Sequence, residues 1–143
     1  MIRLICGGKK NAGWALEAMS EYEKRLRKPF EVKWEFFEEE KLKVLLEKWP
    51  FSAEDFVILA DERGENISSP EFSRKLDAAF NHGKNVVVLV GGAFGFDESA
   101  RGKADFLWSF SKLVFPHMIA RLIAVEQIYR AQEIRNGGRY HHE

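Results

Sequence analysis

Cysteine is almost missing from this chain: Cys6 is the only one. A single thiol excludes a disulfide framework and any metal site built from several thiolates. In an apolar segment it reads as a small core residue. Long hydrophobic runs are missing too, since no stretch approaches the ~20 apolar residues that a membrane helix needs. An excess of one charge is also lacking: 22 Lys and Arg stand against 22 Asp and Glu. Proteins that hold long nucleic-acid duplexes through bulk charge are usually basic. Zero net charge therefore argues against nonspecific duplex binding, but not against a small positive patch or a partner read by its shape. There is no internal repeat, low-complexity segment or linker. The opening MIRLICGGKK has no cleavage-site pattern and reads as a first strand rather than a signal peptide. The expected compartment is the cytoplasm.

What is present is a soluble globular balance. The 143 residues make one domain, 1–143. That length buries roughly 70% of the unfolded chain's surface, so no staple is needed. Residues 1 to 6 read as a strand. Ala15, Met19, Tyr22 and Leu26 share one face of a helix expected over 11–28 and ended by Pro29. A second strand is expected over 30–37, a helix around 41–49 stopped by Pro50, and a third strand over FVILAD, 56–61. ERGENISS reads as a loop. Ser69-Pro70-Glu71 supplies an N-cap, a first-turn proline and an acid for a helix to about 82. NVVVLV, 85–90, is a fourth strand, DESARGKADF a short helix and LWSFSKLVF, 107–115, a fifth strand. Pro116 opens a final helix to about Arg135, closed by Gly137-Gly138. Strands and helices alternate, and strands three and four are apolar runs. The expected fold is α/β, a mostly parallel sheet with helices on both faces. Ligands in such sheets sit beyond the carboxyl ends of strands. Here those ends are Ala60-Asp61, Gly91-Gly92 and the region from Phe110 to Phe115.

The glycines after the fourth strand, in VVVLVGGAFGFDESA, invite a phosphate reading that the neighbouring residues oppose. A P-loop needs a lysine and a Ser or Thr at the head of the next helix. After Gly92 come Ala93, Phe94, Gly95, Phe96, Asp97 and Glu98, with two acids where an anion would sit. GGAFGF does not supply a dinucleotide fingerprint either. A tight turn that only needs positive φ is one reading. The other is a ligand without phosphates, a purine carrying a cationic group, such as S-adenosyl-L-methionine.

LVGGAFGF, then SFSKLVFPHMIARLIAVEQIYRAQEI, then RYHHE resemble one family closely. ADERGENISSPEF in the middle extends the resemblance over essentially the whole chain. The family is that of the ribosomal RNA large subunit methyltransferases H, minimal members of the knotted SPOUT methyltransferases. The resemblance implies a C-terminal trefoil knot, a feature otherwise essentially absent from proteins. It implies S-adenosyl-L-methionine held by Leu59, Ala60, Gly91, Gly92, Phe110, Ser111, Lys112, Leu113, Val114 and Phe115. It implies a homodimer with the pocket at the interface. The implied reaction methylates N3 of a pseudouridine in large-subunit ribosomal RNA on the assembled ribosome, without a metal.

Several residues are then candidates for the chemistry. His117 opens the last helix, where the positive end of the dipole disfavours an imidazolium; a neutral ring can accept a proton. The alternative is a capping or packing histidine. Arg121, one turn on, is a candidate to hold an RNA phosphate or a developing enolate oxygen, or to form a surface ion pair. Arg130 is a candidate RNA contact that can instead pair with Glu126 or Glu133. Tyr140 and His141 match family residues that reach across the dimer to the partner's active site. His142 stands where the family often has Arg or Lys, and is a second candidate RNA contact. The apolar stripe Met118, Leu122, Val125 and Tyr129 reads as core or dimer interface. Adjacent His141, His142 and Glu143 make a poor metal site, because adjacent residues rarely converge on one ion. Which of Lys9, Lys10, Arg25, Arg27 and Lys28 touch RNA is left open, because acids are mixed among them. A non-enzymatic nucleotide-sensing or ribosome-binding α/β module is the competing reading. It shares the sheet and the glycine turn but needs no cofactor pocket combined with the terminal residues.

Overall fold

The computed structural model describes residues 1–142. Ten elements follow one another: β1 (Ile2–Gly7), α1 (Gly13–Glu23), β2 (Val32–Phe37), α2 (Glu39–Lys48), β3 (Asp55–Glu65), α3 (Ser69–Asn81), β4 (Asn85–Val90), α4 (Glu98–Lys103), β5 (Phe106–Trp108) and α5 (His117–Arg135). The strands form one sheet in the order β2-β1-β4-β3-β5, with every pairing parallel. Parallel strands bury both faces, and each face has its own core. Ile2, Leu4, Cys6, Ile58, Val86 and Val88 pack under α1, α3 and α5 with Met19, Phe72, Leu76 and Ile128. The alternate residues Ile5, Val57, Leu59, Val87 and Leu89 pack against Leu42 and Leu46 of α2 and Ala100 of α4. Period-two alternation of side chains makes both assignments at once. No described helix is long and apolar enough to cross a membrane.

The expected alternation of strands and helices is present; β2 and α2 each start two residues from their expected place, Phe106 belongs to β5 rather than to the short helix, and four other boundaries differ for visible reasons. α1 stops at Glu23 rather than 28; Leu26 N bonds to Glu23 O at 3.0 Å in a following turn. The N-cap of α3 is Ser68, not Ser69; its side chain accepts from Glu71 N at 3.2 Å. β3 runs on to Glu65, through residues expected to be loop, because after an irregularity beyond Ala60 its end pairs again with Trp108. β5 is three residues long instead of spanning 107–115. Ser109 Oγ donates to Ser111 O at 2.9 Å and Ser111 Oγ accepts from Leu113 N at 3.0 Å. Such local side-chain bonds give the backbone an alternative to the ladder.

β1 and β4 are neighbours whose onward connections leave in opposite directions, one to β2 and the other to β5. A crevice opens beyond the carboxyl ends of strands at such a switch. Gly7 and Gly92 lie there in close approach: a Cβ on Gly7 would come 3.0 Å from Gly92 N.

Candidate functional site

A cavity of about 610 Å³ opens at that edge, between the ends of β3, β4 and β5 and the start of α5. The three strand ends singled out in the sequence converge on it. Ala60 lines it from β3, Gly91 and Gly92 from the turn after β4, and Phe110, Ser111, Leu113, Val114 and Phe115 from the segment before α5. His117 joins them from the first turn of α5. Its volume lies in the ordinary range for a small organic ligand, ~300–1,000 Å³. The rim is apolar and wet: Phe94 is 89% exposed, Val114 79% and Leu113 69%.

The turn after β4 is built from glycine for packing and for conformation. A Cβ on Gly91 would meet Gly95 Cα and the Phe96 ring, each at 3.2 Å, and Gly95 itself has φ +67°. Two side chains that sequence reasoning missed hold this turn to β3. The Arg101 guanidinium donates to Phe96 O at 2.5 Å and lies 3.7 Å from Asp61 Oδ2. Asp61 is itself buried and accepts from Arg63 N at 2.8 Å. Arg101 lies at the end of α4, where a basic residue merely complements the helix dipole, so the sequence held no signal for this tether. The opposite wall is held from below, where Asn66 Nδ2 donates to Ser109 O at 2.8 Å.

Among the described residues the lining offers no lysine for a phosphate. Asp61 and Glu62 line the cavity beside Arg63, whose Nη1 lies 3.6 Å from Asp61 Oδ1 and 4.0 Å from Glu62 Oε1. With Arg101 also on Asp61, these charges balance, and no excess positive charge is left to hold a phosphate. Gly91 and Gly92 line the cavity, while a Cβ on either would run into Gly95 and Phe96 or into the Glu39 carboxylate. The residues present therefore fit a ligand without phosphates, such as S-adenosyl-L-methionine.

Not every candidate reaches the cavity. Leu59 is fully buried on the other face of the sheet, among Val57, Leu89 and Leu42. Lys112 is exposed and does not line it. Arg121 is 0% exposed and sits against the end of β1, so in this chain it is neither a surface ion pair nor open to an RNA phosphate. Its Nη1 donates to Lys9 O at 2.7 Å and Asn11 Oδ1 at 3.0 Å, and its Nη2 to Gly7 O at 2.8 Å. Burial pulls the guanidinium below its usual pKa. Burial likewise pushes the neighbouring Cys6 thiol up to about 12, with the Arg121 charge opposing, so Cys6 is an inert core thiol.

Tyr140 and His141 lie far along α5. Tyr140 packs edge-on against Tyr129, ring centroids 4.8 Å apart, under the Arg130 guanidinium. His141 Nδ1 is 3.0 Å from Arg130 Nη1, and Arg130 also bonds Glu126 at 2.8 Å. Twelve helical residues separate His117 from Tyr129, a rise of about 18 Å. Burial, then the neighbouring Tyr22, raises the Tyr140 phenol to about 12, so it is protonated at neutral pH. His142 is exposed, and Glu143 lies outside the described residues. Of the tryptophans, Trp108 stacks on Phe72 at 3.9 Å and Trp34 on Phe36 at 5.8 Å, both packing roles, whereas Trp14 is exposed.

Fold and cavity together define a class: a parallel α/β protein with a cavity of small-molecule size at its strand ends. The family described as "Predicted SPOUT methyltransferase" matches residues 1–141. Proteins named ribosomal RNA large subunit methyltransferase H are 38% identical in Parabacteroides distasonis and 35% identical in Caldicellulosiruptor bescii, each over 99% of both chains. The one from Hydrogenovibrio crunogenus is 33% identical, again over 99% of both. A solved structure described as a probable methylase family protein from Haemophilus influenzae Rd KW20 shares the fold, with TM-score 0.62 and 12% identity. It is covered to 70% by 99% of this chain. The chain belongs to the ribosomal RNA large subunit methyltransferase H family of SPOUT methyltransferases.

Proposed function

We propose that this protein methylates N3 of a pseudouridine in large-subunit ribosomal RNA, on the assembled ribosome in the cytoplasm, using S-adenosyl-L-methionine. The observation that carries this reading is the cavity itself, formed where three strand ends and the start of α5 meet, in a chain of this family. When bound, the cofactor supplies a methyl group activated by the adjoining sulfonium. The protein's part is to align the target nitrogen and to help it lose its proton. Alignment turns a bimolecular encounter into an intramolecular one, and accounts for much of the acceleration. Gly91, Gly92 and the 110–115 segment would hold the cofactor, and Asp61, through Arg101, would keep the glycine turn in place. His117, at the mouth of the cavity, is placed to accept or relay the proton. Passage of the final helix through a trefoil knot is part of this reading.

The reading includes a homodimer. Tyr140 and His141 sit too far along α5 to serve their own chain's cavity, and the partner's copies would serve it instead. Trp14 and Leu16 on α1 and Ile119 on α5 are exposed apolar residues and form the expected contact face. Leu122 is half-buried against the core, so a charge there would disturb folding as well as association. Glutamate at both Trp14 and Ile119 avoids that difficulty. The double variant is expected to elute as a folded monomer on a sizing column and to lose methylation. A variant that stays dimeric removes this face from the interface.

The test of the activity has two parts. Calorimetry is expected to show binding of S-adenosyl-L-methionine and none of ATP; the reverse favours a nucleotide sensor. Mass spectrometry of ribosomal RNA from cells lacking the protein is expected to show one missing methyl group on a pseudouridine. Fully methylated RNA overturns the proposal.

A further inference from the structure

We propose that Lys9 and Lys10 form a ledge for the phosphate backbone of the substrate RNA, held in place by Arg121. This rests on the activity proposed above and adds the part of the chain that meets RNA outside the cavity.

Of the five basic positions open as RNA contacts in the N-terminal region, two emerge beside the chain's own cavity; Arg25, over the Tyr129 ring, lies with the tail instead. β1 ends at Gly7, so Lys9 and Lys10 emerge at the carboxyl edge, where the cavity lies. α1 then carries the chain to the opposite edge. There Glu31 O bonds Ile2 N, at the start of β1, at 2.7 Å. Arg25, Arg27 and Lys28 are at that far edge. Two of them are engaged besides: Arg25 lies 3.8 Å from Glu21, and Arg27 donates to Lys24 O and Leu26 O, each at 2.9 Å.

Lys9 and Lys10 are exposed, and neither has an ion pair among the described residues. Their loop is nonetheless pinned. Arg121 bonds the carbonyls of Gly7 and Lys9 and the Asn11 side chain, while Gly8 N donates to Phe37 O at 2.8 Å. Arg121 does this while fully buried, with no carboxylate partner and with its Nε unpaired. Burying an uncompensated guanidinium is costly. What it accomplishes here is to turn the loop's carbonyls inward and fix the path of residues 7–11. Two cations on a preset backbone lose less freedom on binding a polyanion than two on a mobile one. The loop also abuts the site: Gly7 touches Gly92, and Arg121 Nη1 lies 3.4 Å from Sδ of Met118, the residue after His117. An RNA strand placing one base in the cavity would bring neighbouring phosphates to this edge.

The test measures binding of the full-length protein to purified bacterial ribosomes and to protein-free large-subunit RNA across a range of monovalent salt. The Lys9→Ala/Lys10→Ala double variant is expected to bind both about tenfold or more weakly at low salt. The slope of log affinity against log salt should become shallower by about 1.4–1.8, the effect of two lost phosphate contacts. S-adenosyl-L-methionine affinity should be unchanged, and the Lys9→Arg/Lys10→Arg variant should behave as wild type. Wild-type affinity and slope in the alanine variant overturn the proposal. So does a parallel loss of cofactor affinity, which would make the loop a support of the cavity. An effect on ribosomes that is absent on free RNA assigns the lysines to a ribosomal protein and also overturns it. A wild-type protein that binds the cofactor but neither ribosomes nor RNA instead refutes the activity on which the proposal rests.

Discussion

Deletion of residues 140–143 is expected to reduce methyl transfer by about 10² to 10⁴-fold, the range for removing groups that assist proton transfer. Cofactor affinity should be untouched. The two effects separate because Tyr140 and His141 lie against Tyr129 and Arg130, about 18 Å of helix from His117, and are not among the described residues lining their own chain's cavity. A loss of activity without a loss of binding therefore points to the partner's cavity. Mixed dimers make the point directly. A truncated chain paired with a full-length His117→Ala chain holds one cavity with an intact His117 facing an intact tail. Activity should return in the mixture, although each parent variant is inactive alone. Full activity in the truncated protein, or no recovery in the mixture, ends the idea that a second copy completes the site.

The second large effect is expected from Gly64→Ala. Gly64 lies on β3 opposite β5, where a Cβ would come within 2.4 Å of Leu107 O, 2.5 Å of Leu107 C and 2.9 Å of Trp108 N. These are backbone atoms of a paired strand, so the clash cannot be relieved by turning a side chain. The two strands must separate. β5 is only three residues long, and the segment walling the cavity hangs from it through Ser109 N to Glu65 O at 3.0 Å. The expected cost is about 3–5 kcal/mol, or roughly 10–15 °C in Tm. Cofactor affinity should fall as well. Gly102→Ala is the control: it lies in α4, where a Cβ meets nothing within 4 Å, and it should be neutral or slightly stabilising. A Gly64→Ala protein that melts at the wild-type temperature would show that β5 yields without resistance.

The strand most sharply legible in the sequence is the one buried on both faces. β4 lies over 85–90 as its apolar run predicts, because a central parallel strand is apolar on both faces. β5 was misread because its aromatic and apolar residues continue past Trp108 for a different purpose. Leu113, Val114 and Phe115 are apolar as the wall and rim of a cavity, and no periodicity distinguishes that from strand burial. Arg121 was misread for a similar reason. Its place one turn after His117 puts it near the site along the helix, but its direction around the helix carries it to β1.

The residues in chain order determined the alternation of strand and helix, the parallel sheet with two cores and the three strand ends that converge on the cavity. All of these follow from local preference and from burial repeated over several residues. Tertiary structure alone decided that Asp61 and Arg101 tie the glycine turn to β3, that Arg121 pins the end of β1, and that Tyr140 and His141 lie a helix's length from their own cavity. Those facts depend on contacts between residues 40 to 114 positions apart, or on the rise of a long helix, and no local pattern records either.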